Sequence, residues 1–285
     1  MNSNEKMKEL VKEKYSTIAG QAKDQNLSSC CGATGSCCAD NAYNIMAEEY
    51  SDLNGYVPDA DLGLGCGLPT EFAQIKGGDT VVDLGSGAGN DVFIARRIVG
   101  EKGRVIGIDF TEAMIARATE NAEKLNYENV QFRLGDIEDM PVTANKADVI
   151  ISNCVLNLAP NKHKVFSEIY RVLKPGGHFS ISDIVLQGEI PTKWKEVAEL
   201  YAGCISGAIQ KENYIEIIDE AGFVNIKLQK DKTIDIPDEL LAAYLSEDEI
   251  LEYKSSNTRI SSVTVYAEKP AKDSRNCCEP ASNCC

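Results

Sequence analysis

The chain has 285 residues, of which 43% are hydrophobic, and this length allows one large α/β domain with additional elements around it. Its formal net charge of -15 argues against a nucleic-acid partner, because phosphate binding requires clustered Lys and Arg side chains. The N-terminus lacks an apolar signal core and no run approaches the roughly 20 apolar residues that span a bilayer, so we expect a cytoplasmic protein without a membrane partner.

Cysteine is frequent in this sequence, with 11 residues, and the odd number argues against a fully paired secreted framework. Cys30, Cys31, Cys37 and Cys38 follow a helix that apolar spacing predicts over residues 6–22. Their Ser- and Gly-rich surroundings indicate a mobile loop. Such a loop could bind a metal, although structural zinc sites usually use C-x-x-C pairs rather than adjacent cysteines.

The next cysteine lies in a turn. A second helix is predicted over residues 41–50, and a connection rich in Gly, Pro and Asp then leads to Cys66, which lies between two glycines. An inert buried cysteine is expected in an apolar run rather than in a turn. Two interpretations of Cys66 therefore stay open, an incidental thiol and a functional one.

A glycine-rich turn organises the central part of the chain. It contains Gly85, Gly87 and Gly89, follows a buried strand and opens a helix, and the next strand ends in Asp109. Glycines let the backbone approach a ligand, and the acidic residue is placed to hold ribose hydroxyls. The G-x-G-x-G spacing behind Asp83 differs from the G-x-G-x-x-G of dinucleotide sites and resembles the class I S-adenosylmethionine-dependent methyltransferases, which we favour over nicotinamide enzymes.

Strands and helices alternate around this turn in the α/β manner. Strands are predicted over residues 80–84, 104–108, 130–134, 147–152, 178–184, 224–228 and 261–267. Helices are predicted over residues 92–99, 111–125, 161–173, 192–208, 211–222 and 238–251. The last residues carry four further cysteines, and we expect this tail to be disordered on its own.

Three strand or helix positions carry chemistry in this arrangement. Asp136 follows the third strand, where its carboxylate can accept from an adenine amino group, with Ile137 beside the ring. Asn153 and Cys154 follow the fourth strand, and ligands in open α/β sheets bind at the carboxyl ends of strands. Cys204 lies on the apolar face of the helix over 192–208. Either cysteine could instead be a small packed core residue.

We expect Cys66, Cys154 and Cys204 to approach one region of the fold. A trigonal set of thiolates suits a soft, thiophilic centre rather than a hard oxygen-binding ion. His163 and His178 are the chain's two histidines, and neither occupies an obvious strand-end position. The sequence therefore shows no histidine general base, although carboxylates could serve instead.

Five motifs together closely resemble the arsenite S-adenosylmethionine methyltransferases, over roughly residues 5–268. They are Gly-Cys-Gly-Leu-Pro at 65–69, the glycine turn at 83–90, Gly-Ile-Asp-Phe-Thr at 107–111, Ser-Asn-Cys-Val-Leu-Asn-Leu at 152–158 and Ala-Gly-Cys-Ile-Ser-Gly-Ala at 202–208. The glycine motif is common to many methyltransferases, whereas the three cysteine motifs in this order are specific. The resemblance implies a Rossmann-like class I sheet with an N-terminal extension and C-terminal additions.

The resemblance also implies roles for particular residues. Cys66, Cys154 and Cys204 would bind trivalent arsenic, and Cys30 or Cys31 would be the N-terminal redox partner. The implied cofactor residues are Asp83, Gly85, Ser86, Gly87, Gly89, Asn90, Asp109, Phe110, Asp136, Ile137 and Asn153. A thiol reductant of the glutathione or thioredoxin type would act as co-substrate, and arsenite and methylarsenite would arrive as thiol conjugates. We expect the protein to be a monomer.

The sequence also departs from this family. Some members have Tyr two residues before the equivalent of Cys66, where this chain has Leu64, so no role for that tyrosine is carried over. Two other functions stay open, a methyltransferase for a small organic acceptor and a thiol-based protein that sequesters metalloids. We divide the chain into N-terminal helices and Cys-bearing loops (1–75), a cofactor-binding core (76–185), an arsenic-site helix with the remaining strands (186–270) and the tail (271–285).

Overall fold

The structure is a computed structural model that describes residues 3–21, 23, 26, 48–190, 207–236, 238–242 and 245–271. Its strands are β1 Thr80–Leu84, β2 Arg104–Asp109, β3 Val130–Leu134, β4 Ala147–Asn153, β5 Leu173–Gln187, β6 Val224–Thr233 and β7 Arg259–Glu268. They form one seven-stranded sheet in the order β3-β2-β1-β4-β5-β7-β6. Within these ranges, no helix has both the length and the apolar character that crossing a membrane requires.

The helices are α1 Ser3–Ala19, α2 Pro69–Phe72, α3 Asn90–Val99, α4 Glu112–Lys124, α5 Lys162–Val172, α6 Lys211–Glu220, α7 Asp238–Ala242 and α8 Glu247–Ser255. Two neighbouring residues of β1 show on which face of the sheet these helices lie. Val81 packs in one apolar cluster with residues of α3 and α4, whereas Val82 packs in another with residues of α5 and α6. Helices therefore cover both faces of the sheet, as expected for strands that are almost continuously apolar.

Parallel pairing brings the carboxyl ends of β1, β2, β3, β4 and β5 to one side of the sheet, here called the carboxyl edge. Leu84 at the end of β1 pairs with Ile108 on β2 and with Ser152 on β4. Strand β7 runs antiparallel between β5 and β6. The residues that follow β1, β2 and β4 must consequently lie side by side at the carboxyl edge.

Helix α1 lies across the carboxyl edge and is held there by ion pairs. The ammonium group of Lys8 lies 2.6 Å from Asp136 and 2.8 Å from Glu138, both beyond the end of β3. Lys12 contacts Glu112 at the start of α4 at 2.9 Å. These contacts place the N-terminal extension over the carboxyl edge, although partly exposed ion pairs contribute only about 0–1 kcal/mol each.

The structure confirms the predicted α/β fold and most of the predicted elements. The strands over 80–84 and 130–134 have the predicted bounds, and the first helix begins and ends about one turn earlier than the prediction. Residues 191–206, 27–47 and 272–285 lie outside the described part of the chain. The helices predicted over 41–50 and 192–208 and the disordered tail stay predictions there, although residues 48–50, 207 and 208 are not helical.

Two predictions of secondary structure are wrong. Lys174-Pro-Gly-Gly was expected to separate a helix from a strand over 178–184, but β5 begins at Leu173 and includes these residues. A single acidic helix was predicted over 238–251, but α7 ends at Ala242 and α8 begins at Glu247. Ser246 provides the reason for the second start, because its side chain and that of Glu249 form a capping box.

Candidate functional site

A cavity opens at the carboxyl edge between the glycine turn and helix α1. The predicted cofactor residues meet in its wall: Asp83, Gly85, Ser86, Gly87, Asn90, Asp109, Phe110, Asp136, Ile137 and Asn153. Gly89 lies behind this wall, because a Cβ atom there would come within 2.8 Å of the Phe93 ring. The structure thus brings together the cofactor residues that were predicted from separate strand ends.

The glycine turn needs its glycines for conformation and for space. Gly85 has a φ of 67°, in the left-handed region, and a Cβ atom there would lie 2.3 Å from a methyl carbon of Val155. Gly87 also has a positive φ, of 51°, but no atom within 4 Å of the Cβ position, so its backbone faces open space. The first glycine therefore allows β1 and β4 to approach, and the second exposes the turn to a ligand.

Asp109 fixes the shape of this turn. One carboxylate oxygen accepts from the backbone N–H of Gly87 at 3.0 Å, and the other accepts from that of Thr111 at 2.8 Å. Each oxygen has two lone pairs, so the carboxylate can also accept from hydroxyl groups in the cavity. Asp109 thus keeps the acceptor capacity that its predicted ribose contact requires.

The carboxylate of Asp136, which was predicted to accept from an adenine amino group, already has two partners within the protein. One of its carboxylate oxygens accepts from Lys8 at 2.6 Å, and the other accepts from the backbone N–H of Glu138 at 2.9 Å. The side chain still lines the cavity together with Ile137. A contact with an adenine amino group would therefore use lone pairs that Lys8 leaves available.

Buried carboxyl groups line part of the cavity wall. Burial raises the pKa of Asp83 well above its ordinary value, and the charges of Asp91 and Asp109 add to this effect. Burial raises the pKa of Asp91 to about 6, against hydrogen bonds from Asn153 and Tyr50. Burial also raises the pKa of Asp109, against the two backbone N–H groups that it accepts from. A cation in the cavity would favour the ionised forms of all three.

These features fit the cationic cofactor that the sequence predicts. Two side-chain oxygens in the cavity wall, on Ser86 and Asn90, are buried and have no hydrogen-bond partner among the described residues. Such atoms are costly unless a ligand or water satisfies them. S-adenosylmethionine carries a sulfonium and an ammonium group, and its hydroxyl and amino groups could serve these oxygens. The wall therefore offers both charge and hydrogen bonds of the kind that the cofactor needs.

Cys66 and Cys154, two of the three thiols predicted to approach one region, lie in one cluster beside this cavity. Their side chains are buried and belong to one apolar cluster, which also contains Leu158, Ile184 and Ala208. Cys154 follows β4 directly and has a φ of 61°, an uncommon conformation for a residue with a side chain. Its backbone N–H donates to Ser182 on β5 at 2.8 Å. The sheet thus determines where this thiol lies.

The Cys66 loop is held by contacts on both sides of the cysteine. The backbone N–H of Cys66 donates to the side-chain oxygen of Asn153 at 3.0 Å, and its carbonyl accepts from the hydroxyl of Ser262 on β7. The amide nitrogen of Asn153 donates to the carbonyl of Gly67 at 2.8 Å. Asn153 was predicted as a cofactor residue, and it lines the cavity, but its amide also binds the Cys66 loop.

Tyr50 and Asp91 were not among the predicted site residues. The Tyr50 hydroxyl lies 2.9 Å from the carbonyl of Gly67 and 3.0 Å from a carboxylate oxygen of Asp91, and it accepts from the amide of Asn153. No sequence signal indicated this contact, because Tyr50 was placed at the end of one predicted helix and Asp91 just before another. Both contacts are long-range and depend on the assembled fold.

A second buried polar group lies near the two cysteines. Lys162, at the first position of α5, donates to the carbonyl of Gly207 at 2.9 Å. Asp183 on β5 is fully buried, and the Tyr214 hydroxyl lies 3.4 Å from its carboxylate. Burial raises the pKa of Asp183 to about 7, against the charge of Lys162. A buried cation at a helix N-terminus opposes the helix dipole, so its contact with Gly207 serves another purpose than helix stability.

Some predicted residues lie outside the described part of the chain, namely Cys30, Cys31 and Cys204. Within the described ranges, no group of three or more His, Cys, Asp or Glu residues is arranged to hold a metal ion. The predicted set of three thiols includes Cys204, so this finding does not test it. The described residues that follow Cys204, from Gly207 onward, join the same region through Ala208 and through the Lys162 contact.

Comparisons with known proteins concern the chain as a whole. A family described as "Methyltransferase domain" matches residues 75–222. The arsenite methyltransferase of Halobacterium salinarum is 40% identical over 94% of this chain and 68% of its own length. That of Aquipseudomonas alcaligenes is 32% identical over 85% of this chain and 69% of its own length.

Solved structures show the same relationship. The crystal structure of an arsenic (III) S-adenosylmethionine methyltransferase from Chlamydomonas reinhardtii has a TM-score of 0.61 and 31% identity, over 80% of this chain and 74% of that one. A phosphoethanolamine N-methyltransferase from Haemonchus contortus, solved with S-adenosyl-L-methionine, has a TM-score of 0.56 at 23% identity over 71% of this chain and 51% of that one. The second similarity concerns the fold alone.

Replacing Asp109 tests the cofactor assignment of the cavity. Asp109→Ala removes the carboxylate that holds the Gly87 and Thr111 backbone, so we expect affinity for S-adenosylhomocysteine to fall about tenfold or more. Isothermal titration calorimetry measures this. Asp79→Ala is the control, because that side chain accepts from Lys76 in the turn that precedes β1. Unchanged affinity in Asp109→Ala would contradict the placement of the cofactor.

Asp183→Asn tests the buried polar group near the cysteines. The pKa of Asp183 is about 7 in the folded state and has an ordinary value of 3.8. The unfolded chain therefore releases this proton at lower pH than the folded chain does, and the free energy of unfolding falls as the pH rises from about 4 to 7. We expect the stability of the wild type, relative to Asp183→Asn, to fall by about 3 kcal/mol between pH 5 and pH 8. Denaturant unfolding at the two pH values measures this difference.

Lys162 and Tyr214 interact with Asp183, Cys66 and Cys154 interact with Tyr214, and all four are retained in the variant. Asp231→Asn is the control, because this partly exposed carboxylate contacts Lys211 at 3.1 Å near the protein surface. Parallel stability profiles for the wild type and Asp183→Asn would show that the buried carboxyl does not titrate in this range.

Proposed function

The chain belongs to the arsenite methyltransferase family, and on this premise we propose that Cys66, Cys154 and Cys204 hold the arsenic atom that its methyl-transfer reaction uses. The enzyme methylates arsenite with S-adenosylmethionine as the methyl donor. The proposal concerns the acceptor site, which consists of thiolates from the loop before the core, the end of β4 and the segment before Gly207. Soft thiolates are the ligands that a thiophilic centre prefers.

The burial of Cys66 and Cys154 in one apolar cluster beside the cavity is the observation that supports this proposal most directly. Ala208 belongs to the same cluster and follows Cys204 by four residues. An extended chain spans at most about 3.6 Å per residue, so Cys204 lies within roughly 14 Å of Ala208. The third thiol is therefore within reach of the other two.

The segment after Cys204 is also anchored. Lys162 binds the carbonyl of Gly207, and the backbone N–H of Leu186 donates to the carbonyl of Ile209 at 2.9 Å. Both contacts fix the chain beside the end of β5, the strand next to β4. The chain from Gly207 onward is therefore fixed beside the strand that neighbours β4, which supports the proposal that Cys204 contributes the third thiolate.

The proposed chemistry assigns simple tasks to the residues of the chain. S-adenosylmethionine, when bound, supplies an electrophilic methyl group. The three thiolates hold trivalent arsenic so that its lone pair faces the cavity, and the apolar side chains around them exclude water. No proton leaves arsenic as the arsenic–carbon bond forms, so the reaction needs orientation rather than a general base. This explains why His163 and His178 have no place in the site.

Transfer to the lone pair raises arsenic from the trivalent to the pentavalent state, so further turnover needs two electrons. We include in the proposal that Cys30 or Cys31 supplies them with Cys66, as two thiols become a disulfide. A thiol reductant of the glutathione or thioredoxin type would then reduce this disulfide. Arsenite and methylarsenite would enter as thiol conjugates, by exchange with the protein thiolates, and one chain would be sufficient for the reaction.

Replacing the thiols tests the acceptor site. We expect Cys154→Ser and Cys204→Ser each to abolish tight arsenite binding, because a hydroxyl is a poor ligand for a soft centre, while S-adenosylhomocysteine still binds. Calorimetric titration with arsenite and, separately, with S-adenosylhomocysteine measures both. Cys277→Ser, a cysteine of the C-terminal tail, is the matched control. Tight arsenite binding by either site variant would refute the three-thiol assignment.

A product measurement tests the function as a whole. The chain is incubated with arsenite, glutathione and S-adenosylmethionine, and the arsenic species are separated and quantified. Methylated arsenicals are expected. Tight binding without transfer would point to sequestration instead, and neither binding nor transfer would point to an organic acceptor.

A further inference from the structure

Tyr50, Asp91 and Asn153 form a buried hydrogen-bonded group, here called the Tyr50 cluster. Tyr50 precedes the core, Asp91 lies in the first turn of α3, and Asn153 ends β4. The Tyr50 hydroxyl is within hydrogen-bond distance of Asp91, at 3.0 Å, and accepts from the amide of Asn153. The cluster therefore joins three segments that are distant in the sequence.

The Tyr50 cluster binds the backbone on both sides of the Cys66 thiol. Asn153 accepts from the N–H of Cys66 at 3.0 Å. The carbonyl of Gly67 accepts from the Asn153 amide at 2.8 Å, and the Tyr50 hydroxyl lies 2.9 Å from the same oxygen. The peptide groups that precede Cys66 and follow Gly67 are thus fixed by directional contacts, which restrict the direction in which the Cys66 side chain leaves the backbone.

The glycines that flank Cys66 have a physical reason in this arrangement. A Cβ atom on Gly65 would lie 2.6 Å from the amide nitrogen of Asn153, and one on Gly67 would lie 2.5 Å from the hydroxyl of Ser182. Only glycine lets the loop lie directly on the cluster and on β5. The Gly-Cys-Gly sequence is therefore required by close packing against polar groups, and it keeps the thiol at a fixed distance from the end of β4.

We propose that Tyr50 and Asp91 are positioning residues for Cys66 and that they act through the amide of Asn153. Asp91 also lines the cofactor cavity, where its second carboxylate oxygen is buried. One carboxylate therefore contacts both the cluster that holds the thiol and the wall that holds the methyl donor. Such an arrangement sets the distance between the reacting groups, and displacements of about 1 Å can slow a reaction about 100-fold.

This inference rests on the proposed role of Cys66 as an arsenic ligand, and the experiments separate the two. Tyr50→Phe keeps the ring in the core and removes only the hydroxyl. We expect kcat for arsenite methylation to fall at least tenfold and arsenite affinity to weaken, while affinity for S-adenosylhomocysteine changes less than threefold. A loss of general stability would lower all three together, so thermal unfolding is measured in parallel.

Tyr56→Phe is the matched control. Its hydroxyl also donates to a carboxylate, that of Asp61 at 3.1 Å, but it makes no contact with the Cys66 loop. We expect wild-type kcat and arsenite affinity in this variant. Asp91→Asn retains an oxygen that accepts from Tyr50 and should keep more activity than Asp91→Ala. Wild-type kcat in Tyr50→Phe, or equal losses in both tyrosine variants, would overturn the positioning role.

The double variant of Tyr50→Phe with Cys66→Ser shows whether Tyr50 acts through Cys66. In Cys66→Ser, methylarsenite is used as the probe because it can bind with two thiols. Adding Tyr50→Phe to this background should leave methylarsenite affinity unchanged, since the thiol that Tyr50 positions is already absent. A further loss of affinity would mean that Tyr50 has only a general structural role.

The same set of variants distinguishes the two hypotheses. If Cys66→Ser retains wild-type arsenite affinity, the role of Cys66 in the proposed function is wrong. If Cys66→Ser weakens arsenite binding but Tyr50→Phe leaves both kcat and arsenite affinity unchanged, the thiol assignment stands and the positioning role is wrong.

Discussion

Parallel pairing between β1 and β4 is the constraint on which the site depends. Because Leu84 pairs with Ser152, the glycine turn and the residues Asn153 and Cys154 leave the sheet at the same level. Neighbouring strands lie only about 4.8 Å apart, so a donor at the first strand end and an acceptor at the second are necessarily close. The near contact between Gly85 and Val155 shows how little space separates the two turns.

This closeness has a cost in stability. The cavity wall contains buried carboxylates whose pKa values are raised because burial disfavours their charge. Cys154 adopts a left-handed conformation, and strained backbone positions of this kind cost about 1–3 kcal/mol. A bound cationic cofactor offsets the cost of ionising the buried carboxylates. The sheet and its hydrogen bonds keep Cys154 in its left-handed conformation. The region is therefore organised for binding rather than for maximal stability of the chain alone.

The sequence predicted the elements and the strand ends well because both depend on local pattern. Apolar runs bounded by turn residues located β1 and β3, and the rule that ligands bind at carboxyl ends then placed Asp83, Asp109 and Cys154 correctly at one edge. Local pattern also misled: Lys174-Pro-Gly-Gly usually ends an element, yet pairing with β4 and β7 keeps β5 extended through it. The separation of α7 from α8 depends on a capping box at Ser246, which the apolar periodicity of the sequence does not indicate.

The Tyr50 cluster could not be predicted from local pattern, and its chemistry explains why a polar group lies beside an apolar thiol site. Apolar packing is roughly proportional to buried area and has little directionality, so the cluster around Cys66 and Cys154 can bury the thiols without fixing their orientation. Hydrogen bonds weaken steeply away from linear geometry. The bonds from Asn153 to the Cys66 loop therefore supply the directional restraint that burial does not. In the proposed acceptor site, burial would exclude water from the arsenic atom and directional contacts would orient the Cys66 thiolate, so such a site needs both.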